Sequence, residues 1–178
     1  MSVAIVATLL AARTAYGAPA VIAGVELHSS PFEILQHIDC GLSGSSGRAL
    51  DDMAAAMFTG CAVIPALREQ ADAGVRLLFD GGELAELRRC TPGHPPGQAA
   101  RAPNIEIKIE PPAAQMHLKA YAIDGEVLRF GSANFSPSGL KHQGNELAIV
   151  RDRDTTQRFE KIFEALWSRS DNTSWRGK

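Results

Sequence analysis

The chain has 178 residues, is 45% hydrophobic and 21% charged, and carries a formal net charge of -2. That length suits one buried core rather than two, and the balance excludes the large basic excess that accompanies strong sequence-independent nucleic-acid binding. Charge is uneven along the chain: residues 1–100 hold 6 Lys+Arg against 10 Asp+Glu and residues 101–178 hold 12 against 10, so an anion-binding face is expected in the second half.

The chain opens with an apolar run from Val3 to Ala12, followed by Ala15-Tyr16-Gly17, a small-x-small pattern suited to cleavage. The run is too short to span a bilayer as a helix, although no Lys or Arg precedes it and Arg13 lies on its far side. Residues 1–20 therefore read as a signal peptide or N-terminal extension, with a periplasmic or secreted location expected, otherwise a cytoplasmic one. Residues 21–170 read as a single domain and 171–178 as a flexible tail.

Val21 to Leu27 predicts a strand, and Ser30-Pro31-Phe32-Glu33 a capping box that starts a helix running to about Leu42, where the Gly/Ser-rich GLSGSSG ends it. Residues 49–58 predict a strand weakened by Asp51 and Asp52, an acidic pair that points to a bulge or shifted register. A helix over 62–73 is closed by Gly74, VRLLF at 75–79 is a buried strand, and a short helix follows over 82–89. The Pro/Gly-rich TPGHPPGQAARAP reads as a surface loop. NIEIKI at 104–109 and residues 145–150 predict strands, and an amphipathic helix runs from about Asp154 to Arg169 behind the alternating Arg151-Asp152-Arg153-Asp154. Strands alternating with helices give an α/β fold, a mixed β-sheet flanked by helices on both faces. Cys40, Cys61 and Cys90 are odd in number, lack a Cys-x-x-Cys spacing and read as core or incidental thiols.

The chemistry concentrates in HLKAYAIDGEVLRFGSANF, residues 117–135. Asp124-Gly125 between apolar-rich runs is a strong two-residue hairpin signal. If those two residues alone are the loop, Ile123 faces Glu126, Lys119 faces Phe130 and His117 faces Ser132. Side chains two apart on a strand share a face, so His117, Lys119, Ser132 and Asn134 are expected to converge, with Gly131 keeping the approach open. An ammonium, a hydroxyl and an amide suit the oxygens of a phosphodiester, and an imidazole can act as nucleophile or proton carrier near neutrality. No cluster of Asp and Glu for a pair of Mg²⁺ ions lies nearby in sequence, so the expected chemistry needs no metal or other cofactor.

His117-x-Lys119-x4-Asp124 followed by Gly131-Ser132-x-Asn134 resembles the signature of the phospholipase D superfamily. VELHSSPFEILQHID, MAAAMFT, AGVRLLFDGG and GNELAIV extend the resemblance from about Val25 to Arg169, toward small bacterial members with one motif per chain, of endonuclease or cardiolipin hydrolase type. The resemblance implies a two-step displacement through a phosphohistidine. It needs two histidines, so it implies a homodimer in which His117 is nucleophile in one subunit and general acid in the other. It further implies that Lys119 and Asn134 hold phosphate oxygens with Ser132 assisting, and that Asp124 and Gly131 are structural. Glu146 is implied to orient the histidine ring, with Asn145 the register-shifted alternative. His28, His37, His94 and His142 carry little expectation of a role, although His142 and Lys141 flank the motif. The substrate stays open between phospholipid and DNA or RNA, with FSPSGL at 135–140 as a candidate apolar lip. A catalytically silent phosphate- or membrane-surface-binding module, or half of a two-motif enzyme, are the alternatives.

Overall fold

The computed structural model describes residues 20–30, 35, 38, 50–55, 74–83 and 103–176. Among them nine strands run in chain order as β1 Ala20–Ile22, β2 Val25–Ser29, β3 Leu50–Ala55, β4 Val75–Phe79, β5 Ile105–Ile109, β6 Lys119–Ile123, β7 Val127–Gly131, β8 Glu146–Arg151 and β9 Thr173–Ser174. They form one sheet in the order β1-β2-β8-β7-β6-β3-β4-β5-β9. β3, β4 and β5 pair in parallel and every other neighbouring pair is antiparallel. Two helices accompany the described strands, α1 Pro137–Lys141 and α2 Arg153–Trp167.

Alternation along the strands builds two cores. On one face Met53, Val75, Leu77, Phe79, Tyr121, Ile123, Val127, Leu147 and Ile149 pack with Leu35, Ile38 and the α1 residue Leu140. On the other, Ala54, Leu78, Ala120, Ala122 and Leu128 pack against Phe159, Phe163 and Trp167 of α2. Helical residues thus cover both faces of a mixed sheet, the architecture the sequence predicts. Asp152 caps α2, its carboxylate accepting from the Thr155 amide at 2.8 Å, which assigns the alternating charges before the helix to its start.

The acidic pair in β3 behaves as expected: the β3–β6 register shifts between Leu50 and Met53. Asp52 is buried and faces Arg76, its partner on β4. Arg76 donates to both Asp52 oxygens at 2.8 and 2.9 Å and to Glu164 on α2 at 2.5 Å, so the buried carboxylate is satisfied by a fork that also ties the helix to the sheet.

Three expectations change. Val21–Leu27 is a hairpin, not one strand, because Ala23 (φ 51) and Gly24 (φ 81) turn the chain so that Ala20 pairs with Leu27. The expected tail is in part docked: Thr173–Ser174 pairs with Lys108–Ile109, and Trp175 is buried in the first core, which the apolar gain of an indole explains. The third is in the motif hairpin, where Ile123 pairs with Val127 and not with Glu126. The expected helix over 31–42 falls outside the described residues except Leu35 and Ile38, and Ser30 uses its hydroxyl on Gln143 and Asn145. The helix over 62–73, the loop after residue 90, most of the helix over 82–89, residues 1–19, His37, His94 and the three cysteines also lie outside them. Among the described residues no helix is long and apolar enough to cross a membrane.

Candidate active site at the open end of the motif hairpin

The turn forms as its sequence dictates. Asp124 (φ 54) and Gly125 (φ 61) both take left-handed conformations and the Glu126 amide donates to the Ile123 carbonyl at 3.0 Å. Glu126, however, is left out of the ladder. Ile123 pairs with Val127, Ala122 with Leu128 and Tyr121 with Arg129, one residue beyond the expected register. Since side chains alternate, a slip of one exchanges the faces of the second strand. Arg129 therefore lies on the face of Tyr121 and Lys119, while Phe130 goes to the opposite face, where it is 41% exposed.

His117 and Leu118 sit in the connector just before β6, and the His117 ring is exposed. Lys119 begins β6 and is only 3% exposed; its ammonium donates to the His117 carbonyl at 2.8 Å. Burial, reinforced by the Arg129 charge, holds the Lys119 ammonium below its ordinary pKa. The lysine and the backbone of the histidine are thus locked together while the imidazole stays accessible.

The second half of the motif leaves the sheet at Gly131, whose φ is +153 and whose Cβ, were there one, would lie 2.3 Å from the Glu146 carbonyl oxygen. Gly131 is required by the backbone and not merely to keep an approach clear. Immediately after it, the Ser132 and Ala133 amides both donate to that one carbonyl, at 3.1 and 3.3 Å, a bulge with two residues against one. Ala133 and Phe135 are buried, whereas Ser132 is exposed and Asn134 half-buried. The small apolar residues anchor the loop and present the polar ones.

Ser132 is already engaged: its hydroxyl accepts from the Glu146 amide at 2.9 Å and donates to Asn145 Oδ1 at 3.2 Å. Asn145 Nδ2 in turn donates to the Gly139 carbonyl at 2.8 Å and to Gln143 Oε1 at 3.3 Å. Asn134 Oδ1 is buried without a hydrogen-bond partner, which leaves the Nδ2 end of that amide as the available donor. Glu146 is exposed at the start of β8. No hydrogen bond joins the His117 ring to either Glu146 or Asn145 among the described residues, and the Asn145 amide serves Ser132 instead. Asp124 occupies the turn.

The residue that sequence reasoning missed is Arg129, 0% exposed, which donates through Nη1 to the Lys119 carbonyl at 3.0 Å and through Nη1 and Nη2 to the Ala133 carbonyl at 3.4 Å. It links the backbone of the His-x-Lys element to that of the Ser-x-Asn element. An arginine inside an otherwise apolar strand was the available signal, concealed by the register. The candidate lip at 135–140 is corrected: Phe135 and Leu140 are core residues, and the exposed apolar side chains near the motif are Leu118 and Phe130. His28 is buried on β2 and His142 is exposed at the end of α1.

Two surface cavities of about 680 and 690 Å³ lie elsewhere, the first around Asp52, Arg76 and Glu164 and the second around Lys108, Trp167 and Trp175. Neither is lined by a motif residue, and the motif's chemistry outweighs their volume in locating the site. Among the described residues no group of three or more His, Cys, Asp or Glu side chains is placed to hold a metal ion.

Residues 46–167 match the family described as cardiolipin synthase, PLD-like domain. The chain is 25% identical over 104 residues, 58% of its length, to the mitochondrial cardiolipin hydrolase of Xenopus laevis, of which the match spans 47%. In three dimensions it is similar to Nuc from Salmonella typhimurium, a phospholipase D family member, with a TM-score of 0.66 and 18% identity over 85% of this chain and 97% of that one. NucT from Helicobacter pylori superposes with a TM-score of 0.68 and 17% identity over 85% and 98% of the two chains. The motif, the mixed sheet that carries it and these likenesses converge: the chain belongs to the PLD-like domain family.

Proposed function

We propose that this chain hydrolyses phosphodiesters through a covalent phosphohistidine, with His117 from each of two copies meeting at one phosphorus. The observation that carries the reading is that the backbone of the exposed His117 is tied to the buried Lys119 ammonium, which donates to the His117 carbonyl at 2.8 Å. A lysine so placed offers its remaining hydrogens to a non-bridging oxygen and neutralises charge where water is scarce. Asn134 Nδ2 supplies a second donor, and Ser132 becomes a third when its hydroxyl turns from Asn145.

In the first step a ring nitrogen of one His117 bonds to phosphorus as the ester P–O bond breaks, and the departing alkoxide takes a proton from the other, protonated His117. In the second, that imidazole removes a proton from water, whose oxygen bonds to phosphorus while the P–N bond breaks. One ring must begin neutral and the other protonated. Each chain has one such histidine in its motif, so the reaction calls for a homodimer. The chemistry assigns no step to a metal ion. Glu146 serves to orient the ring once the second copy is in place.

The test is turnover of bis(p-nitrophenyl) phosphate in EDTA by wild type and by His117→Ala. Wild type should turn over and the variant should not, and wild type denatured in alkali, where the P–N bond survives, should carry the p-nitrophenyl phosphoryl group on histidine. In randomly mixed dimers turnover should fall as the square of the wild-type fraction, and a loss merely proportional to the mutant chain would show that one histidine suffices. Activity that disappears in EDTA, or a fully active monomer in sedimentation, would defeat the scheme. A silent phosphate-binding module would bind phosphate without forming the adduct. Parallel assays with single-stranded DNA and with phospholipid vesicles decide between nucleic-acid and phospholipid diesters; the relative named a cardiolipin hydrolase supports the second and the one named Nuc the first.

A further inference from the structure

Burying a guanidinium is costly unless its donors and its charge are met. Arg129 is fully buried nonetheless, at the place where the two halves of the motif part company. The β6–β7 pairs end at Tyr121–Arg129; beyond them Lys119 continues one way and Gly131 turns toward β8, with the Ser132 and Ala133 amides bonded to the Glu146 carbonyl. The Lys119 carbonyl is met by Arg129 Nη1 at 3.0 Å, and the same group reaches the Ala133 carbonyl at 3.4 Å. The guanidinium carbon lies 4.5 Å from the centre of the Phe135 ring and 5.8 Å from that of Tyr121, and the two rings are 5.9 Å apart. Aromatic surfaces of this kind suit a delocalised cation and restrict where its fork can point.

From this geometry we infer that Arg129 is a positioning residue: it bridges the carbonyls of Lys119 and Ala133 and so fixes the distance between the lysine ammonium and the Ser132–Asn134 donors that flank Ala133. The inference rests on the phosphodiester reading for the meaning of that distance, but the clamp is a property of this chain alone. Lysine in its place would keep the charge and reach one carbonyl, not two. Methionine would keep much of the length and lose both charge and bonds. A charge this close also contributes to the depressed pKa of Lys119, which gives the clamp a signature separate from stability.

The experiment compares wild type, Arg129→Lys and Arg129→Met in kinetics with bis(p-nitrophenyl) phosphate across the alkaline range, with thermal melts alongside and the Lys119 ammonium titrated by NMR. Both variants should lose kcat by roughly 10²-fold, the scale of an ångström of misplacement. The alkaline limb and the Lys119 titration should move upward in Arg129→Met and stay in place in Arg129→Lys; a change that only loosened the fold would lower the melting temperature without this split. Folded variants with wild-type kcat, KM and pH profile would overturn the clamp. Should neither variant fold, the wild-type guanidinium protons decide: slow exchange, slowed further by saturating tungstate, supports the clamp, and exchange at the rate of an exposed arginine refutes it. If wild type neither turns over the diester nor binds tungstate, the phosphodiester reading fails, while the Lys119 titration in Arg129→Met still tests the clamp.

Discussion

Replacing Gly131 by alanine puts a methyl group where the backbone of β8 already stands. The added Cβ would lie 2.3 Å from the Glu146 carbonyl oxygen, 3.0 Å from its carbon and 3.1 Å from Leu147 Cα. Backbone cannot yield as a flexible side-chain tip can, so β7 and β8 must separate. The carbonyl that has to move accepts from both the Ser132 and Ala133 amides, each bond worth about 0.5–1.5 kcal/mol. A φ of +153 on an L residue costs roughly 1–3 kcal/mol more. Together these give a loss of about 2–6 kcal/mol, a large part of the ~5–15 kcal/mol that holds a domain folded. Gly125→Ala is the control: its φ of +61 carries the conformational cost, but its Cβ meets only Glu160 Oε1 at 3.5 Å, so about 1–2 kcal/mol is expected. Urea unfolding by circular dichroism measures both, and the Gly131 variant should also lose the proposed phosphodiesterase activity in whatever fraction remains folded. If Gly131→Ala lies within about 1 kcal/mol of wild type, or costs no more than Gly125→Ala, the account of the bulge is wrong.

Arg76→Met leaves Asp52 buried without its fork and should cost about 2–4 kcal/mol in the same unfolding assay; a further Asp52→Asn change should recover part of that loss, and strict additivity would contradict the pairing. Glu110 is buried beside Asp80 and Asp171, with Arg169 opposing, and burial first and those charges second raise its pKa above 4.5. Its contribution to stability is fully present below the unfolded value and lost as pH rises through the raised folded one. Glu110→Gln should therefore match wild type near pH 4 and be the more stable of the two at pH 7, and a curve parallel to wild type would exclude the effect. Lys119 is depressed below 10.5, so between its folded value and 10.5 the unfolded chain holds more protons and stability from this group rises with pH. Tungstate affinity, which needs the ammonium, should fall over the same window; affinity and stability falling together would deny Lys119 the anion-binding role.

Much of the fold was legible because its signals are local. VRLLF and NIEIKI are short apolar or alternating runs with clear boundaries, and they became β4 and β5 nearly to the residue. Asp52 announced a bulge because a carboxylate in a core strand needs a partner, although nothing in the sequence named Arg76. The hairpin at Ala23-Gly24 was missed because alanine carries no turn signal and takes a left-handed φ of 51 here only in company with Gly24. Trp175 was assigned to a tail by its place near the end of the chain, when its size was the better guide. The candidate site residues could be nominated from spacing, but the links between them could not: Ser132 to Asn145, Lys119 to the His117 carbonyl and Arg129 to both halves of the motif are all set by tertiary packing.

The register of the motif hairpin decides how those links arise, and a packing argument accounts for it. Had the ladder closed directly on Asp124-Gly125, Ile123 would have faced Glu126, and the carboxylate would have stood on the face where Tyr121 and Ile123 are buried. Setting Glu126 aside puts Val127 opposite Ile123, and Val127 is 2% exposed in the same core. Burying a valine there is worth about 1.5–3 kcal/mol, whereas an unpaired carboxylate in that position would cost several. The same slip brings Arg129 onto that face. The fold accommodates it because the diverging strands leave the Lys119 and Ala133 carbonyls to be met and because Tyr121 and Phe135 supply ring surfaces beside it. A turn residue excluded from the ladder thus places a cation behind the Lys119 and Ser132–Asn134 elements of the candidate site, and spacing within the motif alone could not show it.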